Sequence, residues 1–419
     1  MSWVATAVEY VIFWLLLPFL LLHPRVRQGI RLRLGLYDGV AMPPPGPRVW
    51  LHGASAGDVL GLVPIVRELK ALRPEVRVIV SAITDSGASM ARQKLVAQGL
   101  AEVVTFLPYD LPGACRRALA AVRPDVLVLE YTELWPQLVH AAANAGVRIA
   151  LTNGRLGPRN VSRYELLFRL TGNLLERFDI LMMRAEEEAE RALLLGAPPD
   201  RVHVTGNTKF DALAVSVPAS EDAALREALA LRGERLWVCG STHEGEEAGL
   251  LRVFSVLRRE HPDLRLLIAP RYIERAQRVL ALARSMDLGV RLRSEAGGAE
   301  PVIVLDTIGE LVRAYQLATV VFVGGSFGRR GGQNILEPAA CGKPVLFGPR
   351  MENFQDSVQV LVGRGGLQVK DPTALLRLLR DLLARPDELQ KLGELAREAV
   401  SSVRGASVRD ARLIAELIP

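Results

Sequence analysis

Aromatic residues, cysteines and histidines are all scarce in this 419-residue chain. Phe, Trp and Tyr together make up 5% of it, so a platform of stacked bases for single-stranded nucleic acid is not expected. The three cysteines, Cys115, Cys239 and Cys341, lie far apart in apolar segments. This spacing argues against a disulfide framework and favours a reducing compartment. The six histidines occur singly, so no metal site is predicted.

Aliphatic residues and positive charge dominate instead. Hydrophobic residues make up 49% of the chain and charged residues 23%, with a net charge of +6 and an isoelectric point near 9.4. Because no nucleic-acid recognition motif accompanies the basic charge, an anionic ligand or an anionic membrane surface is the expected partner. The length predicts two or three domains.

The first 34 residues predict a membrane anchor. Residues 3–22 are apolar except for Glu9, and such a helix is about as long as the hydrocarbon layer is thick. Basic residues follow at once, which places the rest of the chain in the cytoplasm by the positive-inside rule: Arg25, Arg27, Arg31 and Arg33. Glu9 and Pro18 leave an interfacial helix as the alternative.

After a proline-rich segment at 42–47, β-branched runs alternate with helical patterns, as in βαβ units with parallel sheets. The predicted strands lie near Val49–His52, Val76–Ser81, Val103–Phe106, Val126–Glu130, Ile149–Thr152, Ile180–Met183, Val202–Thr205, Leu236–Cys239, Leu266–Ala269, Val302–Leu305, Val320–Val323 and Val345–Phe347. Residues 214–232 contain no strand pattern and are predicted to be a hinge. We therefore expect an α/β protein with doubly wound domains at 35–213 and 233–419, facing a central cleft, whose final helices cross back.

A glycine-rich loop follows the first predicted strand, from His52 to Asp58. Its Gly-X-Ser-X-Gly core matches the nucleophile elbow of serine hydrolases, with Ser55 as the nucleophile. The loop can equally present Asp58 as a base, or Ser55 and Asp58 can simply cap the following helix. No His-Gly-Gly-Gly oxyanion segment precedes it, which counts against the hydrolase.

Polar segments also follow the other predicted strands, where open α/β sheets bind their ligands. In chain order they are Glu130-Tyr131-Thr132-Glu133-Leu134-Trp135-Pro136, Asn153-Gly154-Arg155-Leu156, Gly206-Asn207-Thr208-Lys209-Phe210-Asp211, Ser241-Thr242-His243-Glu244-Gly245-Glu246, Pro270-Arg271, Gly309-Glu310-Leu311, Gly324-Gly325-Ser326 and Asn334-Ile335-Leu336-Glu337-Pro338. With the loop at 52–58, this ordered set resembles the lipid A 3-deoxy-D-manno-octulosonic acid (Kdo) transferases from about residue 30 to residue 365.

The resemblance implies a GT-B fold made of two Rossmann-like domains, with the acceptor bound by 35–213 and the CMP-sugar by 233–419. It implies transfer of Kdo from CMP-Kdo to a hydroxyl of a lipid A precursor, lipid IVA, in lipopolysaccharide core biosynthesis. It also implies an enzyme anchored at the cytoplasmic face of the inner membrane. No metal or other cofactor is expected, because GT-B enzymes generally use helix dipoles and basic residues instead.

The resemblance also implies roles for individual residues. Asp58 is the general base, Glu130 stabilises the transition state, and Lys209 holds the Kdo carboxylate or the departing phosphate. Contacts to CMP-Kdo are expected from Pro270, Arg271, Gly309, Glu310, Leu311, Asn334, Ile335, Leu336 and Glu337. Further candidates for lining the cleft are Ser55, Ser241, His243, Gly325 and Ser326.

The chain departs from the family pattern at three places. Asp58 stands where the family has glutamate, Gln333 stands where it usually has histidine, and Gly-Arg-Leu-Gly at 154–157 replaces Ala-Arg-Leu-Ser. A misplacement of about 1 Å can cost roughly a hundredfold in rate, so the shorter carboxylate matters most. It leaves open a transferase with another donor or acceptor, a weakly active CMP-Kdo-binding paralogue, and a non-enzymatic membrane scaffold.

Overall fold

The computed structural model describes residues 29–213, 222–295 and 297–419, which form two compact units. The first unit contains the chain up to Ala212 together with Arg404–Pro419, and the second contains Leu213–Val403. The predicted apolar anchor at 3–22 lies outside the described residues. Within the described ranges, no helix is both long and apolar enough to cross a membrane.

The first unit is built on a parallel sheet of seven strands, in the order β3-β2-β1-β4-β5-β6-β7. The strands are β1 (Arg48–His52), β2 (Arg77–Ala82), β3 (Val103–Phe106), β4 (Val126–Glu130), β5 (Arg148–Gly154), β6 (Ile180–Met183) and β7 (Val202–Val204). Its α-helices span Ile30–Arg33, Ala56–Leu72, Asp85–Ala91, Pro112–Val122, Pro136–Asn144, Val161–Thr171, Glu186–Leu194, Thr208–Leu213 and Ala406–Glu416.

Alternation along the strands builds a core on each face of this sheet. In β1, Val49 and Leu51 belong to one buried cluster and Trp50 to another, because successive side chains point to opposite faces. The first cluster includes the inner side of the helix Ala56–Leu72 and the second that of Pro112–Val122. Helices therefore cover both faces, as a doubly wound sheet requires.

The second unit repeats this plan, with its own parallel sheet in the order β10-β11-β9-β8-β12-β13-β14. The strands are β8 (Arg235–Thr242), β9 (Leu264–Pro270), β10 (Val290–Leu292), β11 (Val302–Val304), β12 (Val320–Val323), β13 (Val345–Phe347) and β14 (Gly366–Gln368). The α-helices are Ala223–Ala228, Glu247–Glu260, Ala276–Ser285, Leu311–Leu317, Leu336–Ala340, Gln355–Leu361, Pro372–Leu383 and Pro386–Val403.

Each predicted strand overlaps an observed one, and two observed strands were not predicted. These are β10 and β14, which are three residues long and lie at the two edges of the second sheet. Short, partly polar edge strands carry little of the apolar signal that marks a central strand.

Residues 222–232, part of the predicted hinge, pack within the second unit. Asp222 caps the helix Ala223–Ala228 and forms an ion pair with Arg313 at 2.6 Å. The buried Arg265 guanidinium donates to the carbonyl of Leu229 at 2.7 Å.

Arg33, predicted as part of a basic flank at the membrane, is buried in the first unit. Its guanidinium donates to the carbonyl of Ile83 and lies 4.5 Å from the centre of the Phe106 ring. Arg33 is therefore engaged within the first unit, and the membrane anchor stays a prediction.

The last helix, Ala406–Glu416, packs in the first unit against the helix Ala56–Leu72. Its start is fixed by Asp211, whose carboxylate accepts from the amides of Gly405 and Ser407, both at 2.7 Å. Two hydrogen bonds to one carboxylate satisfy amides that a helix start leaves unpaired.

We expect Asp211→Ala to lower the free energy of unfolding of the first unit by about 2 kcal/mol, because both charge-assisted bonds are lost. Urea titration followed by tryptophan fluorescence measures this change. The matched control is Asp200→Ala at an exposed position, which should leave the midpoint unchanged. An Asp211→Ala curve that overlays the wild-type curve would contradict the assignment.

Candidate functional site

The three predicted catalytic residues meet at the carboxyl edge of the first sheet. Asp58 lies in the first turn of the helix after β1, Glu130 ends β4, and Lys209 lies in the helix after β7. The Lys209 ammonium is 3.2 Å from Asp58 Oδ1. Gly61 lies between Glu130 and Lys209, and a Cβ there would be 2.7 Å from Glu130 Oε1 and 3.5 Å from Lys209 Cγ. Only glycine leaves room for both side chains at this point.

Asp58 caps its helix and pairs with Lys209 at the same time. Its Oδ2 accepts from the amide of Ser55 at 2.9 Å and from the Ser55 hydroxyl at 2.7 Å. Its Oδ1 faces Lys209. Ser55 is thus the helix N-cap, with its hydroxyl directed at a carboxylate rather than at a histidine, which is not the arrangement of a hydrolase nucleophile.

Lys209 is held between an anion and an aromatic ring. Its ammonium is 4.2 Å from the centre of the Tyr131 ring, a distance at which a cation is attracted to the ring face. Burial alone would lower the pKa of Lys209, but contact with Tyr131 and the charge of Asp58 outweigh it, so this pKa is raised. The side chain stays charged and is 29% exposed, so it can reach a ligand.

Glu130 is fully buried at the end of its strand. Its pKa is raised well above the ordinary value, first by burial and then by the charge of Asp58. Oε1 accepts from Asn153 Nδ2 at 3.1 Å, whereas Oε2 has no hydrogen-bond partner among the described residues. Oε2 is therefore the oxygen of Glu130 that a ligand could engage.

Two neighbouring residues that the sequence did not single out as functional support this cluster. Tyr131 and Asn153 adopt φ values of 59° and 53°, which side-chain-bearing residues rarely do. Asn153 binds Glu130 and also Thr208, whose amide donates to Asn153 Oδ1 at 2.9 Å. Such strain is retained where the surroundings enforce it, often at functional sites. Both residues lie at strand ends, and this position is the signal in the sequence that could have identified them.

His52 and Glu133 lie beside the cluster. Burial lowers the pKa of His52 to about 4. The neutral ring contacts the Ser81 hydroxyl through Nδ1 at 3.0 Å. Its Nε2 is 3.9 Å from Glu133 Oε2. Burial raises the pKa of Glu133, and its Oε2 accepts from Trp135 Nε1 at 2.9 Å.

Asp410, from the last helix, lies on the other side of the same strand ends. The Thr152 hydroxyl, next to Asn153 in β5, donates to Asp410 Oδ2. Arg409 donates to the carbonyl of Thr205 at 2.6 Å. Asp410 is buried, and this burial raises its pKa to about 7. The last helix therefore brings a titratable carboxyl group up to β5, at the residue that pairs with Glu130 of β4.

The residues predicted to contact CMP-Kdo lie at the carboxyl edge of the second sheet. Arg271 follows Pro270 at the end of β9 and is exposed, with its guanidinium 6.0 Å from the Tyr272 ring. Asn334 Nδ2 donates to Glu337 Oε1 at 3.1 Å. Burial raises the pKa of Glu337, and Asn334 and Arg271 partly offset this effect. Ile335 and Leu336, between them, are buried.

The Gly309-Glu310-Leu311 segment leads into a helix. Gly309 has a φ of 84°, and Glu310 is the N-cap of the helix Leu311–Leu317. Glu310 is already engaged, because its Oε1 is 3.1 Å from Arg293 and its other oxygen accepts from the Thr307 hydroxyl.

Four further candidates differ in their access. Ser241 is partly exposed with a φ of 53°, whereas His243 is 5% exposed. Burial lowers the pKa of His243, whose ring packs edge-on against Tyr272 at 5.7 Å. Ser326 is fully buried, and its hydroxyl donates to the carbonyl of Val323 at 2.7 Å. Gly325 precedes it with a φ of 69°.

Clusters of three or more His, Cys, Asp or Glu residues arranged to hold a metal ion are absent from residues 29–213, 222–295 and 297–419. The prediction that the protein uses no metal stays a prediction.

Known proteins are similar in sequence to most of this chain. Residues 28–212 match the family model for 3-deoxy-D-manno-octulosonic-acid transferase. The chain is 30% identical to 3-deoxy-D-manno-octulosonic acid transferase of Haemophilus influenzae, over 92% of this chain and 90% of that one. It is 32% identical to the protein of the same name from Chlamydophila psittaci, over 87% and 84%.

Among solved structures, UDP-GlcNAc 2-epimerase from Neisseria meningitidis bound to UDP-GlcNAc is similar with a TM-score of 0.57. The similarity covers 88% of this chain and 99% of that one, at 15% identity. At this identity the likeness concerns the fold alone.

We expect Asp410→Asn to flatten the pH dependence of stability. Because the folded-state pKa of about 7 exceeds the ordinary 3.8, the folded protein binds this proton more tightly, and stability is lost as pH rises from about 4 to 7. The variant mimics the protonated group and should gain about 2 kcal/mol over wild type at pH 8.

Thermal midpoints of both proteins at pH 5 and pH 8 measure the difference. Asp38→Asn, at a position whose side chain is 76% exposed, is the control and should follow wild type at both values. Parallel pH profiles for Asp410→Asn and wild type would contradict the expectation.

Proposed function

The chain belongs to the 3-deoxy-D-manno-octulosonic acid (Kdo) transferase family, and from that premise we propose that it transfers Kdo from CMP-Kdo to a hydroxyl group of lipid IVA. Membership makes it a Kdo glycosyltransferase of lipopolysaccharide synthesis. The observation that carries the finer proposal is the meeting of Asp58, Glu130 and Lys209 at one sheet edge.

The proposed reaction is a single displacement with inversion at the anomeric carbon. The acceptor oxygen forms a bond to that carbon as the bond to the CMP phosphate breaks, and CMP leaves with the electron pair. The acceptor proton passes to Asp58, through the oxygen that faces Lys209. The other oxygen stays bound to Ser55, which fixes the direction of the carboxylate and offsets the shorter reach of aspartate.

Lys209 and Glu130 serve the charges that change during this step. The Lys209 ammonium neutralises the Kdo carboxylate or the departing phosphate, both of which are anions. Burial raises the pKa of Glu130, and its protonated form is proposed to donate a hydrogen bond, through the oxygen that has no partner among the described residues, to an oxygen of the sugar or the leaving group. A neutral carboxyl group that donates in this way adds no negative charge to an anionic site.

The second unit is proposed to bind the donor. Arg271 offers an exposed guanidinium to the CMP phosphate or the cytosine edge. Glu337, oriented by Asn334, accepts hydrogen bonds from the ribose hydroxyls. The pair of parallel sheets supports a GT-B type of fold, and we propose that the enzyme works at the cytoplasmic face of the inner membrane, where its lipid acceptor is.

Transfer is expected to need no metal ion, because Lys209 and Arg271 supply the positive charge that a cation would otherwise provide. We expect CMP release to be unchanged, within about twofold, after EDTA treatment and desalting. Adding back Mg²⁺ or Mn²⁺ is the control. A loss of activity that either ion restores would contradict this part of the proposal.

The test of the base is Asp58→Asn. Purified protein with CMP-Kdo and lipid IVA should release CMP, and the variant should do so at least about a hundredfold more slowly, because an amide cannot accept the proton. Binding of CMP, measured by calorimetry, should stay within about twofold. Mass spectrometry of the lipid product identifies the transferred sugar.

The matched control is Asp371→Asn, since Asp371 also caps a helix, accepting from the amide of Ala374 at 2.8 Å. It should keep the wild-type rate. Full activity in Asp58→Asn would exclude Asp58 as the base, whereas CMP release without a Kdo-lipid product would point to another acceptor.

A further inference from the structure

The loop after β12 has the glycine-rich composition of a phosphate-binding loop, but its backbone amides already donate hydrogen bonds within the protein. Glycine-rich turns after a strand commonly bind phosphate through their backbone amides. In this loop, the amides of four consecutive residues, 324–327, all donate within the protein. Gly324 donates to the carbonyl of Gly240 at 2.8 Å. The other three donate to a single side chain.

That side chain is Glu246, in the loop after β8. Its Oε1 accepts from the amides of Ser326 at 3.0 Å and Phe327 at 2.9 Å. Its Oε2 accepts from Gly325 at 2.7 Å and from His243 at 3.0 Å. Four amides therefore converge on one carboxylate, and the residue is 4% exposed. Such a set of donors is what a bound anion would otherwise receive.

The surrounding backbone is shaped around this carboxylate. A Cβ on Gly324 would lie 2.6 Å from Thr242 Cα and 2.9 Å from Glu246 Oε2. Gly325 needs a φ of +69°, and a Cβ there would lie 3.2 Å from His243 Cδ2. The two glycines allow the backbone to lie close to Glu246 and His243. This close packing explains the glycine-rich sequence of the loop without invoking phosphate binding.

We propose that Glu246 is a positioning residue for donor binding, whose carboxylate occupies the place of an anion in the loop. It ties the loop after β8, which carries His243, to the loop after β12. The donor phosphate then finds no free amide at 324–327 and must be bound by side chains. This inference rests on the proposed donor-binding role of the second unit, but its electrostatic part is testable without a donor.

Negative charge, not only shape, is required at this position. In Glu246→Gln the side-chain NH2 group would replace one carboxylate oxygen and would face two backbone N–H groups. Two of the four hydrogen bonds would be lost, and donors would face donors there. In Glu246→Ala all four amides are left around a small cavity. A carboxylate that is small enough to enter, such as formate, should restore their partner.

The first experiment measures rescue by formate in the full-length protein. Glu246→Ala should have a lower thermal midpoint than wild type, and sodium formate should raise it by several degrees more than sodium chloride does. Wild type and the control Glu244→Gln, at a neighbouring side chain that is 74% exposed, should respond equally to both salts. An equal formate response in Glu246→Ala and wild type would overturn the proposal.

The second experiment measures the donor. Glu246→Gln, which is isosteric, should raise the KM for CMP-Kdo about tenfold while kcat changes by less than about threefold, since the loop is misplaced but the base is intact. Formate should lower the raised KM of Glu246→Ala. An unchanged KM in Glu246→Gln would overturn the positioning role. If the wild-type protein failed to bind CMP, the proposed function would be rejected instead. The formate experiment would then still decide whether the Glu246 carboxylate occupies the place of an anion in the loop.

Discussion

The buried carboxyl group of Glu130 is the constraint on which the candidate catalytic site depends. A fully buried carboxyl group that accepts one hydrogen bond among the described residues, from Asn153, is costly to ionise. It lies beside Asp58 and Lys209, which pair with each other at 3.2 Å, and the charge of Asp58 raises the pKa of Glu130 further. A glycine at position 61 makes room for it, and Tyr131 and Asn153 next to it adopt positive φ values. The local backbone is thus arranged around a single buried acid.

The second unit handles a buried carboxylate in the opposite way. Glu246 receives four backbone amides, whereas Glu130 receives one side-chain amide. Burial with little hydrogen bonding raises the pKa of Glu130. Two acids at corresponding edges of two similar sheets therefore have different surroundings. Glu246 organises a loop, and Glu130 presents an oxygen that has no hydrogen-bond partner among the described residues.

The sequence was sufficient for the sheet strands and for the meeting of Asp58, Glu130 and Lys209, because parallel strands present their carboxyl ends at one edge. It was insufficient for Glu246 and Asp410. The polar segment at 241–246 did not mark Glu246 among its members, and Asp410 lies in a helix outside every motif; their roles come from partners 80 and 258 positions away, Ser326 and Thr152. Ser326, expected as lining, is buried, and its hydroxyl donates to Val323 at the end of β12 and accepts from the amide of Gly348 just after β13.

The return of the last helix to the first unit has a consequence for synthesis on the ribosome. Ala411, Ile414 and Ile418 complete the core that Val49 and Leu51 begin, so the first unit cannot close when its own sheet has emerged. The second unit, contained within Leu213–Val403, can fold first although it is made later. While the second unit is translated, the nascent first unit therefore leaves exposed the apolar surface that the last helix later covers, including one side of the helix Ala56–Leu72, which makes it a natural client for chaperones.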